Sequence, residues 1–105
     1  MKKTLLLMLA AGGVLFACTG KKDKQRATLD AFCAQFVKIN NEEKDPSVAA
    51  TRMTTWIRTE IQDTQILEIL ETAAHVDPSK TRDTVKNGVE INLGIKGWDC
   101  PALSP

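Results

Sequence analysis

The tripeptide Asp-Pro-Ser occurs twice, at residues 45–47 and 77–79. Aspartate at an N-cap accepts hydrogen bonds from the first free N–H groups of a helix. Proline at the first helical position has no N–H to leave unpaired. Each tripeptide therefore reads as a helix start, and together they cut the chain into short helices. After the first, Ala49, Ala50, Met53, Trp56 and Ile57 recur at helical spacing. Asp63 is a further N-cap ahead of Ile66, Ile69, Leu70, Ala73 and Ala74, although the spacing of Ile57 and Ile61 also allows the second helix to run on with a kink near Asp63.

A first helix is expected over 27–40, with Leu29, Phe32, Cys33, Phe36 and Val37 on one stripe. The last segment reads two ways. Val85, Val89 and Leu93 suit a helix, whereas Val89, Ile91, Leu93 and Ile95 alternate as in a strand. A lone strand has no partner in this chain. The segment is therefore read as a helix over 78–92, ended by Gly94 in a left-handed cap, with Gly88 as a weak point inside it. The tail, GIKGWDCPALSP, has no periodicity. The expected fold is all-α, a small bundle of three to four helices closed by one disulfide, with an irregular C-terminal tail.

Ahead of these helices stands a different kind of segment. Lys2 and Lys3 precede an apolar run over residues 5–17, broken only by Gly12 and Gly13. About 13 residues are too few to span a ~30 Å hydrocarbon core as a helix. A basic start followed by a short apolar run describes an export signal. The stretch Leu15-Phe16-Ala17-Cys18 resembles the lipobox of bacterial lipoproteins. The resemblance covers residues 1–20 only. It implies cleavage before Cys18, acylation of the Cys18 thiol and amine (diacylglycerol and a palmitate-type chain), and anchoring in a bilayer. Thr19 after the anchor, by the same resemblance, directs the protein to the outer membrane. The alternative is cleavage by ordinary signal peptidase and a soluble periplasmic product. Residues 1–17 are thus set apart as a signal peptide, 18–26 as the lipidated Cys and a flexible tether, and 27–105 as the helical domain. In the tether, Lys21, Lys22, Lys24 and Arg26 read as a solvated spacer, with contact to anionic headgroups as the sharper alternative.

With Cys18 assigned to the anchor, Cys33 and Cys100 remain. An exported chain meets oxidants, so these two are expected to pair. The closed loop of about 67 residues corresponds to about 4 kcal/mol in the loop-entropy model. Trp98, two residues before Cys100, is placed to cover the bridge.

Composition narrows the function. The chain carries 14 basic and 13 acidic residues, +1 overall. Without Lys2 and Lys3 the balance is near −1, and no basic stripe marks a nucleic-acid surface. Two Trp, three Phe and no Tyr leave little for base stacking. His75 is the one histidine, at the end of the third helix, where the helix dipole favours its cationic form. No metal-ligand spacing or catalytic motif appears. Glu42 with Glu43, and Glu68 with Glu71, read as solvated charge. The expectation is no catalysis, no cofactor and no metal, but binding or scaffolding of another envelope protein. Met53, Trp56 and Trp98 are the candidate partner surface, weighed against a plain core role. The plan of lipid anchor, about four helices and one disulfide is similar to that of some pilotins, which escort secretin subunits. A small inhibitor or exclusion lipoprotein and a periplasmic chaperone are the other readings.

Overall fold

The structure is a computed structural model and describes residues 20–104 in full; the expectations for Cys18 and the signal segment 1–17 lie outside the described residues. Four α-helices follow one another, α1 (Lys2–Glu42), α2 (Pro46–Glu60), α3 (Thr64–Ala74) and α4 (Thr81–Leu93). Short 3₁₀ turns cover Pro78–Lys80 and Pro101–Leu103. Each connection is short enough to reverse the chain, so the helices run up and down, α1 against α2 and α3 against α4. Among the described residues there is no strand.

The Asp caps at 45, 63 and 77 form as the sequence specifies, but α1 is already helical ahead of the expected start at 27 and α4 begins at Thr81 rather than Pro78. Asp45 caps α2 by accepting from Ser47 N–H (2.9 Å) and Ser47 Oγ (2.8 Å). Asp63 Oδ1 accepts from Gln65 N–H (2.9 Å) and Ile66 N–H (3.1 Å), so α2 and α3 are separate helices rather than one kinked helix. Asp77 repeats the Asp45 geometry on Ser79 at 2.9 and 2.8 Å. There the chain makes one 3₁₀ turn before α4 begins. Gly94, φ +69°, ends α4 in the left-handed conformation, and its N–H reaches Glu90 O.

The core draws on all four helices and on the tail. Leu29, Phe32 and Ile39 come from α1, Ala49 and Met53 from α2, Ile66, Ile69, Leu70 and Ala73 from α3, and Val85, Val89 and Leu93 from α4. The tail adds Ile95, Trp98, Cys100 and Leu103. It is irregular yet as buried as the helices. The reason is the Cys33–Cys100 disulfide, Cα–Cα 5.8 Å, which ties it to the middle of α1 across 67 positions. Three polar ties assist. Trp98 Nε1 donates to Asp30 Oδ1 at 2.9 Å. Arg82 grips Asp99 with two hydrogen bonds, Nε to Oδ1 at 2.9 Å and Nη2 to Oδ2. Its Nη1 donates to Ser104 Oγ at 3.1 Å.

Residues 20–26 differ from the expected tether. They belong to α1 and dock on the bundle. Gln25 is buried, 3 % exposed, and its Nε2 donates to Asp63 Oδ2 (3.0 Å) and Gln65 Oε1 (3.1 Å). Arg26 Nη2 donates to Lys96 O at 3.2 Å. A Cβ built on Gly94 would lie 3.3 Å from Lys22 Nζ, so this ammonium covers the C-terminus of α4, where unpaired carbonyls favour a cation. Polar side chains bury well when their hydrogen bonds are made, and an apolar pattern alone does not reveal them.

Gly88, a weak point in α4 by propensity, lies directly against Ile69 of α3. An added Cβ would meet Ile69 Cγ2 at 2.8 Å and Cγ1 at 3.1 Å. Overpacking of this kind costs about 1–3 kcal/mol, against a gain of about 1 kcal/mol in helix propensity. Gly88→Ala is therefore expected to lower the urea midpoint; a raised midpoint would show that Ile69 yields freely.

Candidate functional site

Of the three side chains expected to form a partner surface, two do not face outward. Met53 is 7 % and Trp98 4 % exposed, and both lie in the core. Met53 falls on the inner stripe of α2 with Ala49. Trp98 is drawn in by the bridge two residues away and by its bond to Asp30. Trp56 alone is half-buried, beside a shallow cleft of about 420 Å³ formed with Gln35, Arg52, Thr55 and Glu60. Arg52 closes one side of this helix pair by an exposed 3.1 Å ion pair to Glu42, which contributes little to stability.

Two other concave regions are assembled from distant segments. Between α3 and α4 a cleft of about 410 Å³ is lined by Glu68, Glu71, Thr72, His75, Thr84 and Asn92. Gly88 and Ile69 form its floor by bringing the helices together. His75 is the exposed C-cap residue of α3, as its position in the sequence suggests. Among the described residues no group of His, Cys, Asp or Glu is arranged to hold a metal ion.

The larger region, about 700 Å³, is a mostly apolar groove. Phe36 and Val37 line it from α1, Ala50 from α2, Pro78 from the first 3₁₀ turn, and Ala102 and Leu103 from the second. Val37 is 41 % exposed, high for a large apolar side chain in this molecule. Phe36 is held by its tilted contact with Phe32, ring centroids 6.4 Å apart. The tail is held at the groove by the bond of Cys100 to α1 and by Arg82, which fixes Asp99 and Ser104. The sequence reading missed this surface. Its one local signal is Val37, which sits at the edge of the apolar stripe of α1, not at its centre.

The charged groups around these surfaces are fixed by hydrogen bonds. The Arg82 guanidinium beside Asp99 holds that carboxyl below the usual carboxylate range, and Asp99 in turn raises Arg82. The Ser47 hydroxyl and N–H lower Asp45, and the Ser79 N–H and hydroxyl lower Asp77. Burial pushes Asp63 up, but hydrogen bonds from Gln25, Ile66 and Gln65, with the Lys21 charge, outweigh it and the net direction is down. A carboxyl depressed in the folded state adds stability above its unfolded pKa, about 3.9, and loses it as the pH falls through the folded value. Stability is therefore expected to be level near neutrality and to decline below about pH 5. Asn also caps helices well. The triple variant Asp45→Asn, Asp63→Asn, Asp77→Asn should lose less urea midpoint between pH 7 and pH 3 than the parent chain does.

Among the described residues no helix is long and apolar enough to cross a membrane. Comparison of the chain with family models, curated proteins and solved structures found no match.

Proposed function

We propose that this chain is a bacterial lipoprotein held by acylated Cys18 to the outer membrane, facing the periplasm, whose helical domain binds or scaffolds another envelope component without catalysing a reaction. The observation that carries the reading is the division of its three cysteines. Cys33 and Cys100 form a bridge suited to an oxidising compartment. The third, Cys18, ends the lipobox-like Leu15-Phe16-Ala17-Cys18. Several acyl chains, at about 0.8 kcal/mol per buried CH₂, meet the need for two signals in stable anchoring.

The groove of Phe36, Val37, Ala50 and Leu103 is the contact surface in this reading, because it is mostly apolar and rigidly walled. An amphipathic helix of an envelope protein fits such a groove. A pilotin-like adaptor is the concrete alternative, tested by loss of secretin multimers on deletion.

The anchoring half is tested by fractionation and intact mass. Cys18→Ala is expected to move the protein from membrane to soluble fraction, and native protein to carry acyl chains. A membrane-bound Cys18→Ala protein, or an unacylated native one, overturns it. The binding half is tested with a photocrosslinking residue at Val37 and, as control, at Asn87 on the exposed side of α4. A discrete adduct only from position 37 is expected, and equal adducts from both sites count against the groove.

A further inference from the structure

We propose that the end of the bundle carrying residues 20–26 and the 61–63 and 94–97 loops sits directly on the anionic headgroup layer, so that the anchor holds the domain in one fixed orientation. This rests on the reading of Cys18 as a lipid anchor and deepens it. Only Thr19 separates Cys18 from Gly20, so two residue-to-residue steps join them, and an extended chain covers at most about 3.5 Å per step. Whatever path those residues take, the anchor lies within about 7 Å of Gly20.

From there the chain has no slack. Lys22, Gln25, Arg26, Leu29 and Asp30 fall at i, i+3, i+4, i+7 and i+8 along α1, and each is engaged with the bundle. Lys22 lies over Gly94, Gln25 bonds Asp63 and Gln65, and Arg26 bonds Lys96 O. Leu29 is fully buried and Asp30 receives Trp98 Nε1. A helix fixed at five successive contacts behaves as part of the domain rather than as a string.

The chemistry of that end suits a headgroup layer. Lys21, Lys24 and Lys96 are exposed there, and Lys22 and Arg26, exposed as well, are partly occupied by the end of α4 and by Lys96 O. Exposed Asp23, Glu60 and Glu90, the last in the final turn of α4, oppose them, while Asp63 is engaged in the α3 cap and with Gln25. Basic side chains within a Debye length of an anionic leaflet are attracted to it. Ile91, 79 % exposed in the last turn of α4, is the most exposed large apolar side chain among the described residues and lies toward the same end. The groove lies toward the opposite end of α1, and the seat therefore presents it away from the bilayer.

The test uses the full acylated chain in vesicles containing a quencher lipid labelled at the headgroup. A genetically encoded fluorophore is placed at Gln62, in the α2–α3 link, or at Lys44, in the α1–α2 link. The 15 residues of α2 separate these sites by about 22 Å at 1.5 Å per residue. Quenching at 62 is expected to exceed that at 44 at least about twofold in phosphatidylglycerol vesicles, given that separation. The ratio should fall toward unity in phosphatidylcholine vesicles, and on inserting a ten-residue Gly/Ser segment between Thr19 and Gly20. Acylated protein with equal quenching at both sites, or with a ratio unchanged by lipid charge, overturns the proposal and leaves the anchor intact. Protein that carries no acyl chain by intact mass overturns the anchor reading itself, and this proposal with it.

Discussion

Reduction of the Cys33–Cys100 bridge is expected to lower folding stability by about 4 kcal/mol, enough to leave much of the population unfolded under mild conditions. The bridge closes a loop spanning 67 positions, and the loop-entropy model assigns about 4 kcal/mol to that length. A domain this small has little more than about 5 kcal/mol in total. The structure adds a second reason for a large effect. The tail contributes Ile95, Trp98, Cys100 and Leu103 to the core but has no helix of its own beyond the turn Pro101–Leu103. Its burial depends on being tied to α1. Urea midpoints with and without dithiothreitol measure the effect. At a slope of about 1 kcal/mol per molar for a domain of this size, the midpoint should fall by about 3–4 M. The double variant Cys33→Ser, Cys100→Ser should behave like the reduced protein. A drop below about 1 M would mean that the polar ties and the apolar tail suffice without the loop constraint.

Much of this arrangement is legible in the residues. The Asp caps at 45, 63 and 77 and the left-handed Gly94 are local chemistry, and local chemistry survives into the fold. The ambiguous segment shows how period decides between helix and strand. A strand would have set Val89, Ile91, Leu93 and Ile95 on one face. In the helix, Val89 and Leu93 are buried while Ile91 is 79 % exposed, and Ile95 is buried only after the chain has turned at Gly94. What escaped was burial without hydrophobicity. Gln25 continues the stripe of Leu29 backward by four residues and is buried, and Lys22, seven residues back, stays exposed but docks on the end of α4; as polar groups both read as solvated. Their partners, Asp63, Gln65 and the end of α4, lie about 40 to 70 positions away. Met53 and Trp98 went the other way, suitable for a surface by type but buried by position. The groove was not legible because no single segment forms it. It exists only once α1, α2 and both 3₁₀ turns meet.

Trp98→Ala is expected to cost about 3–5 kcal/mol, the range for deleting a buried indole. Trp98 is 4 % exposed and is the largest side chain that the tail places in the core. Its loss removes apolar area and also the bond from Nε1 to Asp30 Oδ1. Trp98→Phe separates the two contributions. It keeps an aromatic ring and lets exposed Asp30 return to water, so the cost should be nearer 1–2 kcal/mol. Asp30→Ala leaves the indole N–H buried without its acceptor, worth about 1–3 kcal/mol, whereas Asp30→Asn retains an acceptor oxygen and should cost less. The decisive comparison is with the bridge. Trp98 and Cys100 hold the same stretch of tail, so their effects should not add. In the Cys33→Ser, Cys100→Ser background the tail is already loosened, and Trp98→Ala should cost less there than in the oxidised chain when both are measured in trimethylamine N-oxide, which keeps the bridgeless chain folded. Equal costs in both backgrounds would show that Trp98 stays seated on α1 without the bridge, and that the indole rather than the disulfide keeps the tail in place.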